Sequence, residues 1–513
     1  MGILRDASIK KRRASLQRCG IVANLSGGNQ PCPSTGLTKS NKLIPVFVVI
    51  CLDSRFTFRY KQRSVSFDLG VLYNMKLFST NTCHVVDDLA SVTVRAHSGK
   101  TAELAAERGG MSEAQVARIW RATESLYKTG NHPMLSICIR RQGQIVLNRS
   151  IGHANGNGPE DTAATPKQLA QPTTPVCLFS ASKVVTAMLL HYLDEHHELS
   201  LLDPIAHYIP EYGVNGKRRA TLFHLMAHRG GIPKVDGDMP PELLFDRPEI
   251  LKRLCAAKPV SPSGHRLAYH AVTAGYILGE VVERVTGMDL RQFLQKTIAQ
   301  PLDMPVFNFG LAEQHRDQVG RSYATGVHSV LGTDLYLKHV IGGDLQLAVD
   351  LTNDPRFMDT ICPAGNLYTD AEQAGRFFEM LLNGGELDGT RIFSERTVFR
   401  STLETTRPEI DRTLMIPMRY GMGPMLGANP VGLFGPMSKH AFGHLGFSNI
   451  LCWADPERDI SVSILSTGKS VVGTHLPALG NLLYQISTQC PRIPRAQRRS
   501  VFGHDSQAMP VSV

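Results

Sequence analysis

Residues 179–195 read FSASKVVTAMLLHYLDE: a serine, two residues and a lysine, opening a run in which Val185, Leu189 and Leu193 recur at helical spacing. Positions three apart share a helix face, which brings the Lys183 ammonium within reach of the Ser180 hydroxyl. A serine at a helix start also points into the positive end of the dipole, where backbone N–H groups lack partners. That setting activates an oxygen nucleophile and supplies part of an oxyanion hole. The spacing by itself is a weak signal, because Ser8/Lys11, Ser125/Lys128 and Ser466/Lys469 repeat it. Ser8 lies in a basic leader, Ser125 falls mid-helix and Ser466 ends a strand; only Ser180 opens a helix straight after a loop.

That loop, 152–175, is rich in Gly, Pro, Thr and Ala. Upstream of it, Ser112 is a plausible N-cap for the helical pattern AQVARIWRATESLY, which stops at Lys128-Thr-Gly130. A hairpin follows, MLSICIRR and QIVLNRS around a turn at Gln142-Gly143, with the alternation of a half-buried pair. Downstream, helical patterns occupy 220–228, 272–286 and 289–300. Strands return at 449–454 and 460–466 around Asp455-Pro-Glu-Arg-Asp459, and a last helix covers about 475–486. Strands from both ends with helices between them predict an α/β fold of the α+β type: an antiparallel sheet flanked by helices, with a helical subdomain inserted.

The chain has 513 residues, a formal net charge of +10 and 42% hydrophobic residues, which excludes a disulfide mini-protein, a collagen-like fibre and a mainly disordered chain. Residues 1–74 hold twelve Lys and Arg against three Asp, and residues 491–513 hold four Arg against one Asp, so the body between them is near neutral. A nucleic-acid partner would need that charge on the folded surface, and none is expected. Residues 1–74 are expected to be a poorly ordered leader or a mis-called start, 75–110 an ill-defined extension, 111–490 the catalytic domain and 491–513 a basic disordered tail. The apolar run Leu43–Leu52 is too short to span a membrane, so no transmembrane segment is expected. Ten cysteines without a C-x-x-C pair read as reduced thiols, in keeping with a cytoplasmic location.

With these motifs in place, the chain resembles the serine β-lactamase and penicillin-binding superfamily, specifically its class C and family VIII esterase-like branch. TLFHLMAHRGGIP (221–233), LAYHAVTAGYILGEVVERVTGMDL (267–290), PAGNLYTDAEQAGRFFEMLLNGGELDGTRI (363–392) and FGHLGFSNILCWADPERDISVSIL (442–465) match it in order and spacing. The resemblance implies that Ser180 is acylated, that Lys183 is its proton-handling partner and that Tyr269, as a phenolate made accessible by the neighbouring ammonium, takes the serine proton and later activates the hydrolytic water. It places His444-Leu-Gly446, just before the penultimate strand, where lactamases carry K-T-G, with the Phe447 and Ser180 N–H groups forming the oxyanion hole. The literal Lys128-Thr-Gly130 lies on the wrong side of the nucleophile and reads as a helix cap.

Two departures matter. Ala271 stands where lactamases have Asn, and His444 replaces a permanent lysine charge. Both turn the expectation toward a small-molecule ester or amide substrate, with a class C-like β-lactamase or D-amino peptidase as the alternative. A non-catalytic scaffold of the same fold is the alternative from another class, and its mark would be a lost Ser or Lys. No cofactor is implied. His224 and His228, spaced i and i+4, lack a third ligand nearby, and no metal is expected. Residues 306–362 match the branch poorly and read as an insertion overhanging the site.

Overall fold

The computed structural model describes residues 55–60, 63–68, 78–235, 241–329, 333–406 and 409–494. The chain divides into two units, Met1–Ser79 and Thr80–Val513. In the first, Arg55–Tyr60 and Arg63–Asp68 pair as an antiparallel hairpin. The rest of the basic leader and the tail from 495 onward lie outside the described residues.

The second unit is built on an antiparallel sheet ordered β4-β5-β6-β7-β2-β3-β1. Its strands are β1 (Thr93–Arg95), β2 (Met134–Arg141), β3 (Gln144–Asn155), β4 (Met425–Leu426), β5 (Phe442–Leu445), β6 (Leu451–Asp455) and β7 (Ile460–Ser466), and Gln168–Leu169 returns to pair with β3. The two ends of the chain meet where β7 lies against β2, with Ser466 opposite Leu135 and Ile460 opposite Arg141. The segment expected to be an ill-defined extension supplies the edge strand β1.

The expected half-buried hairpin is corrected: every residue of β2 is buried. Leu135, Ile137 and Ile139 join Val462 and Ile464 against α1 (Glu113–Tyr127) and the C-terminal helix His475–Gln489, each such side chain contributing about 1.5–3 kcal/mol on burial. The alternate residues face the helix Ala371–Leu382, where a Cβ on Gly375 would lie 3.6 Å from Arg140 and 3.7 Å from Cys138. Arg140 is held there by Glu372 at 2.8 Å and by Glu379. α1 begins as its sequence predicts, with a capping box in which Gln115 N–H donates to Ser112 Oγ and Ser112 N–H donates to Gln115 Oε1. A cap of this kind stabilises a helix by about 1 kcal/mol. Gln142 and Gly143 both take positive φ, the geometry that a tight hairpin turn needs.

Between β3 and β4 lies the helical region, where α2 (Ser182–Glu195) and α3 (Thr273–Thr286) pack within one apolar core. Within 306–362, the helices Thr333–Val340 and Leu345–Asn353 contribute to a small core of Ala324, Leu337, Leu345 and Val349, against which Phe447 and Val471 pack, while Phe357 and Met358 of the helix Pro355–Asp359 join the main core. The seven described cysteines are free and buried. No described helix is long and apolar enough to cross a membrane.

Candidate active site

Ser180 occupies a single tight turn, Phe179–Ala181, that runs directly into α2. The turn is forced by Phe179, whose φ of +48° puts a bulky residue in the left-handed region at a cost of about 1–2 kcal/mol. Packing compensates. The Phe179 ring is buried, lies 5.6 Å from the Phe447 ring and has Lys469 Nζ 4.8 Å from its centroid. The strain therefore sits at the residue that aims the serine, where functional sites often store it.

Lys183, one turn on, donates to Ser180 Oγ at 3.0 Å and to the Ala364 carbonyl at 3.0 Å. It is 8% exposed and both acceptors are neutral, so burial pushes its ammonium down to about 7. The segment that presents Ala364 is stitched to both sides of the serine: Leu178 N–H donates to the Leu367 carbonyl, Leu367 N–H donates to Ser182 Oγ and Thr186 Oγ1 donates to the Pro363 carbonyl.

Tyr269 arrives from a different segment and lies with its ring centroid 4.9 Å from Lys183 Nζ. It is 4% exposed, and burial drives its phenol well above the ordinary tyrosine value, against a lesser lowering from its hydrogen bond with Ser180. The phenolate expected beside an ammonium is thus disfavoured. Of the two groups, Lys183 is the one that loses its proton near neutrality. His228 and His444 flank the tyrosine and His270 stacks on His228, and burial keeps all three neutral: His444 is pushed down to about 3, His270 to about 4, and His228 is also lowered. His228 has φ +56° and its ring lies 4.7 Å from Tyr269; the His444 ring lies 6.2 Å away.

His444 stands inside strand β5, which lies just before the strand Leu451–Asp455. Its Nδ1 bonds to the Leu445 carbonyl at 2.6 Å, which fixes the proton there and leaves Nε2 as a buried lone pair without a partner among the described residues. Beyond the strand end, a Cβ on Gly446 would lie 2.5 Å from the Leu178 carbonyl, so only glycine lets this edge approach the serine turn. Phe447, next along, is half-buried between the main core and the small core of Ala324, Leu337, Leu345 and Val349.

The structure brings Ser180, Lys183, Tyr269 and His444 together and sets Gly446 and Phe447 beside them. His224 and His228 do not share a helix face. The helix ends at Met226, and His224 Nδ1 accepts from the Thr221 N–H in its N-terminal cap. No group of three metal-ligating side chains occurs among the described residues. Sequence reasoning missed Asp411, which accepts from the Tyr269 N–H across 142 residues, and the contact of His228 with Tyr269. No local signal marks either one.

A lysine-paired serine on this sheet-and-helix scaffold defines a serine hydrolase. Residues 119–482 match the Beta-lactamase family model, and the chain belongs to that family. It is similar to the Esterase/beta-lactamase LipL of Mycobacterium tuberculosis, at 26% identity over 367 residues that cover 69% of this chain and 82% of that protein. Among solved structures, a family VIII carboxylesterase superposes with a TM-score of 0.64 at 23% identity, over 74% of this chain and 99% of that one. A penicillin-binding protein homolog from Caulobacter crescentus gives 0.61 at 23% identity, over the same shares.

Proposed function

We propose that this hydrolase cleaves a small ester or amide through an acyl-enzyme on Ser180. The neutral Lys183 amine takes the serine proton as Ser180 Oγ bonds to the substrate carbonyl carbon. The resulting oxyanion is received by the Ser180 and Phe447 N–H groups. As the tetrahedral species collapses, the carbon–leaving-group bond breaks and the Tyr269 phenol passes a proton to the departing oxygen or nitrogen. Lys183 then re-protonates the phenol. Water hydrolyses the acyl-enzyme by the same route in reverse. His444, with no accessible surface, assists from behind Tyr269 as a neutral acceptor.

The observation that carries this reading is the 3.0 Å contact between a buried Lys183 and Ser180. Ala271 and the neutral His444 favour esters and small amides over β-lactams, since neither supplies the amide or the fixed charge that a lactam carboxylate and side chain would meet. A fluorophosphonate probe and short-chain nitrophenyl esters, applied to wild type and Ser180→Ala, test it. Labelling and turnover confined to wild type are expected; an inert wild type, or an unaffected variant, would sink the reading. Fast nitrocefin turnover would move the substrate class to β-lactams.

A further inference from the structure

Asp411 is fully buried, and among the described residues no cation pairs with it. Its charge is met by donors instead: Oδ1 accepts from the N–H groups of Tyr269 at 3.0 Å, Thr413 at 2.8 Å and Leu414 at 2.9 Å, and Oδ2 accepts from the Tyr420 hydroxyl at 3.1 Å. A buried carboxylate is costly unless it is satisfied in this way, and its removal strands every donor it serves.

The surrounding contacts show what the carboxylate holds. Leu267 N–H donates to Glu409 Oε1 at 3.2 Å, and the Leu267 carbonyl accepts from Arg412 N–H at 3.1 Å. The segment 409–412, which begins as the short strand Glu409–Ile410, therefore runs beside the Tyr269 segment and takes the N–H groups of residues 267 and 269. The intervening N–H groups go the other way, Ala268 to the His228 carbonyl at 3.1 Å and His270 to His228 Nδ1 at 3.3 Å. The segment is an irregular stretch of chain whose N–H groups are taken on both sides, and on one side the acceptors are carboxylates. The segment 306–362 also reaches Arg412 and Leu414. In the helix Thr333–Val340, the Tyr336 hydroxyl donates to the Leu414 carbonyl at 3.3 Å, and His339 Nε2 bonds to the Arg412 carbonyl at 3.2 Å.

We propose that Asp411 is the positioning residue that sets the Tyr269 phenol against Ser180 and Lys183, and that the insertion helix Thr333–Val340 braces this anchor. The insertion then acts on the proton relay as well as on access to the site. This inference rests on the hydrolase reading given above.

Steady-state kinetics on an ester that wild type hydrolyses, with thermal melting alongside, test it in Asp411→Ala, Asp411→Asn and the surface pair Tyr336→Phe/His339→Ala. Asp411→Ala is expected to lower kcat by about 10²-fold, the usual consequence of misplacing a reacting group by an ångström, with KM nearly unchanged. Asp411→Asn keeps an oxygen for the three N–H groups and should recover most of that loss. The surface pair should lower kcat by roughly threefold to tenfold without a change in melting temperature, the scale of a lost neutral hydrogen bond. Equal kcat in wild type and Asp411→Ala would overturn the proposal while leaving the hydrolase reading intact. So would an Asn variant no better than Ala, its loss tracking melting temperature. If Asp411→Ala fails to fold, the Asn variant and the surface pair decide, and wild-type kcat in the surface pair would overturn the bracing role. An inert wild type would instead remove the reading on which the inference rests.

Discussion

The two halves of the proposed catalytic apparatus are assembled by opposite means. Ser180 and Lys183 lie three residues apart where one helix begins, and their 3.0 Å contact follows from helix geometry alone. Tyr269 is brought to them by a segment outside any helix or strand, held between His228 and a segment whose Asp411 lies 142 residues further on. A local pair survives most changes elsewhere in the chain. A group held by distant clamps is only as well placed as the clamps.

Breaking the local half should have the largest effect. Ser180→Ala removes the nucleophile, and loss of labelling together with a fall in turnover of at least about 10³-fold is expected, as when a triad member is deleted. A residual rate near wild type, measured after exclusion of contaminating hydrolase, would place the nucleophile elsewhere. Lys183→Met keeps the packing volume and removes the amine; a loss of about 10²–10⁴-fold, the span of general acid–base catalysis, should appear in both kcat and kcat/KM.

Next comes the distant half. Tyr269→Phe preserves ring packing against His228 and removes the hydroxyl, so a loss of about 10²-fold is expected, the lower end of the same span and concentrated in kcat. If Tyr269→Phe costs as much as Lys183→Met, the phenol and not the amine is the principal base, and the division of labour drawn from burial is wrong.

pH sharpens the same comparison. A lysine pushed down to about 7 is charged and inactive as a base below that value and neutral above it. The logarithm of kcat/KM should therefore rise with pH through about 7 and level off. Buried His228, His270 and His444, all lowered, stay neutral across that window and should add no step of their own. A plateau extending well below pH 6 would contradict the neutral amine.

The smallest expected effect concerns the segment 306–362. Leu337 is buried in its small core, and Phe447 packs on that core from the active-site side. Leu337→Ala should shift the preference among acyl chain lengths by about tenfold, the usual worth of a methylene-scale change in an apolar pocket, while fluorophosphonate labelling of Ser180 persists. Lost labelling in a folded variant would make the segment part of the catalytic machinery.

Much of this was legible before any coordinates. The N-cap at Ser112, the Gln142-Gly143 turn, the strand pair 451–455 and 460–466 and the helix that Ser180 opens are all encoded by residues within a turn or two of one another. The burial of β2 on both faces was not. Ser136, Cys138 and Arg140 look like a solvated edge until Ala371–Leu382, more than 200 positions away, supplies Glu372 and Glu379 to receive the arginine. His444 was found by its flanking pattern, yet its place within β5 and its bare Nε2 depend on the neighbouring strand and on the tyrosine behind it.

By itself the sequence determined which residues can do chemistry and which of them are already paired, because i to i+3 contacts, caps and tight turns need only local backbone geometry. Tertiary structure decided the protonation of the site. Burial of Lys183 and Tyr269 by segments hundreds of residues apart lowers one pKa and raises the other, and desolvation of this kind is a property of the packed interior that no local stretch of chain contains.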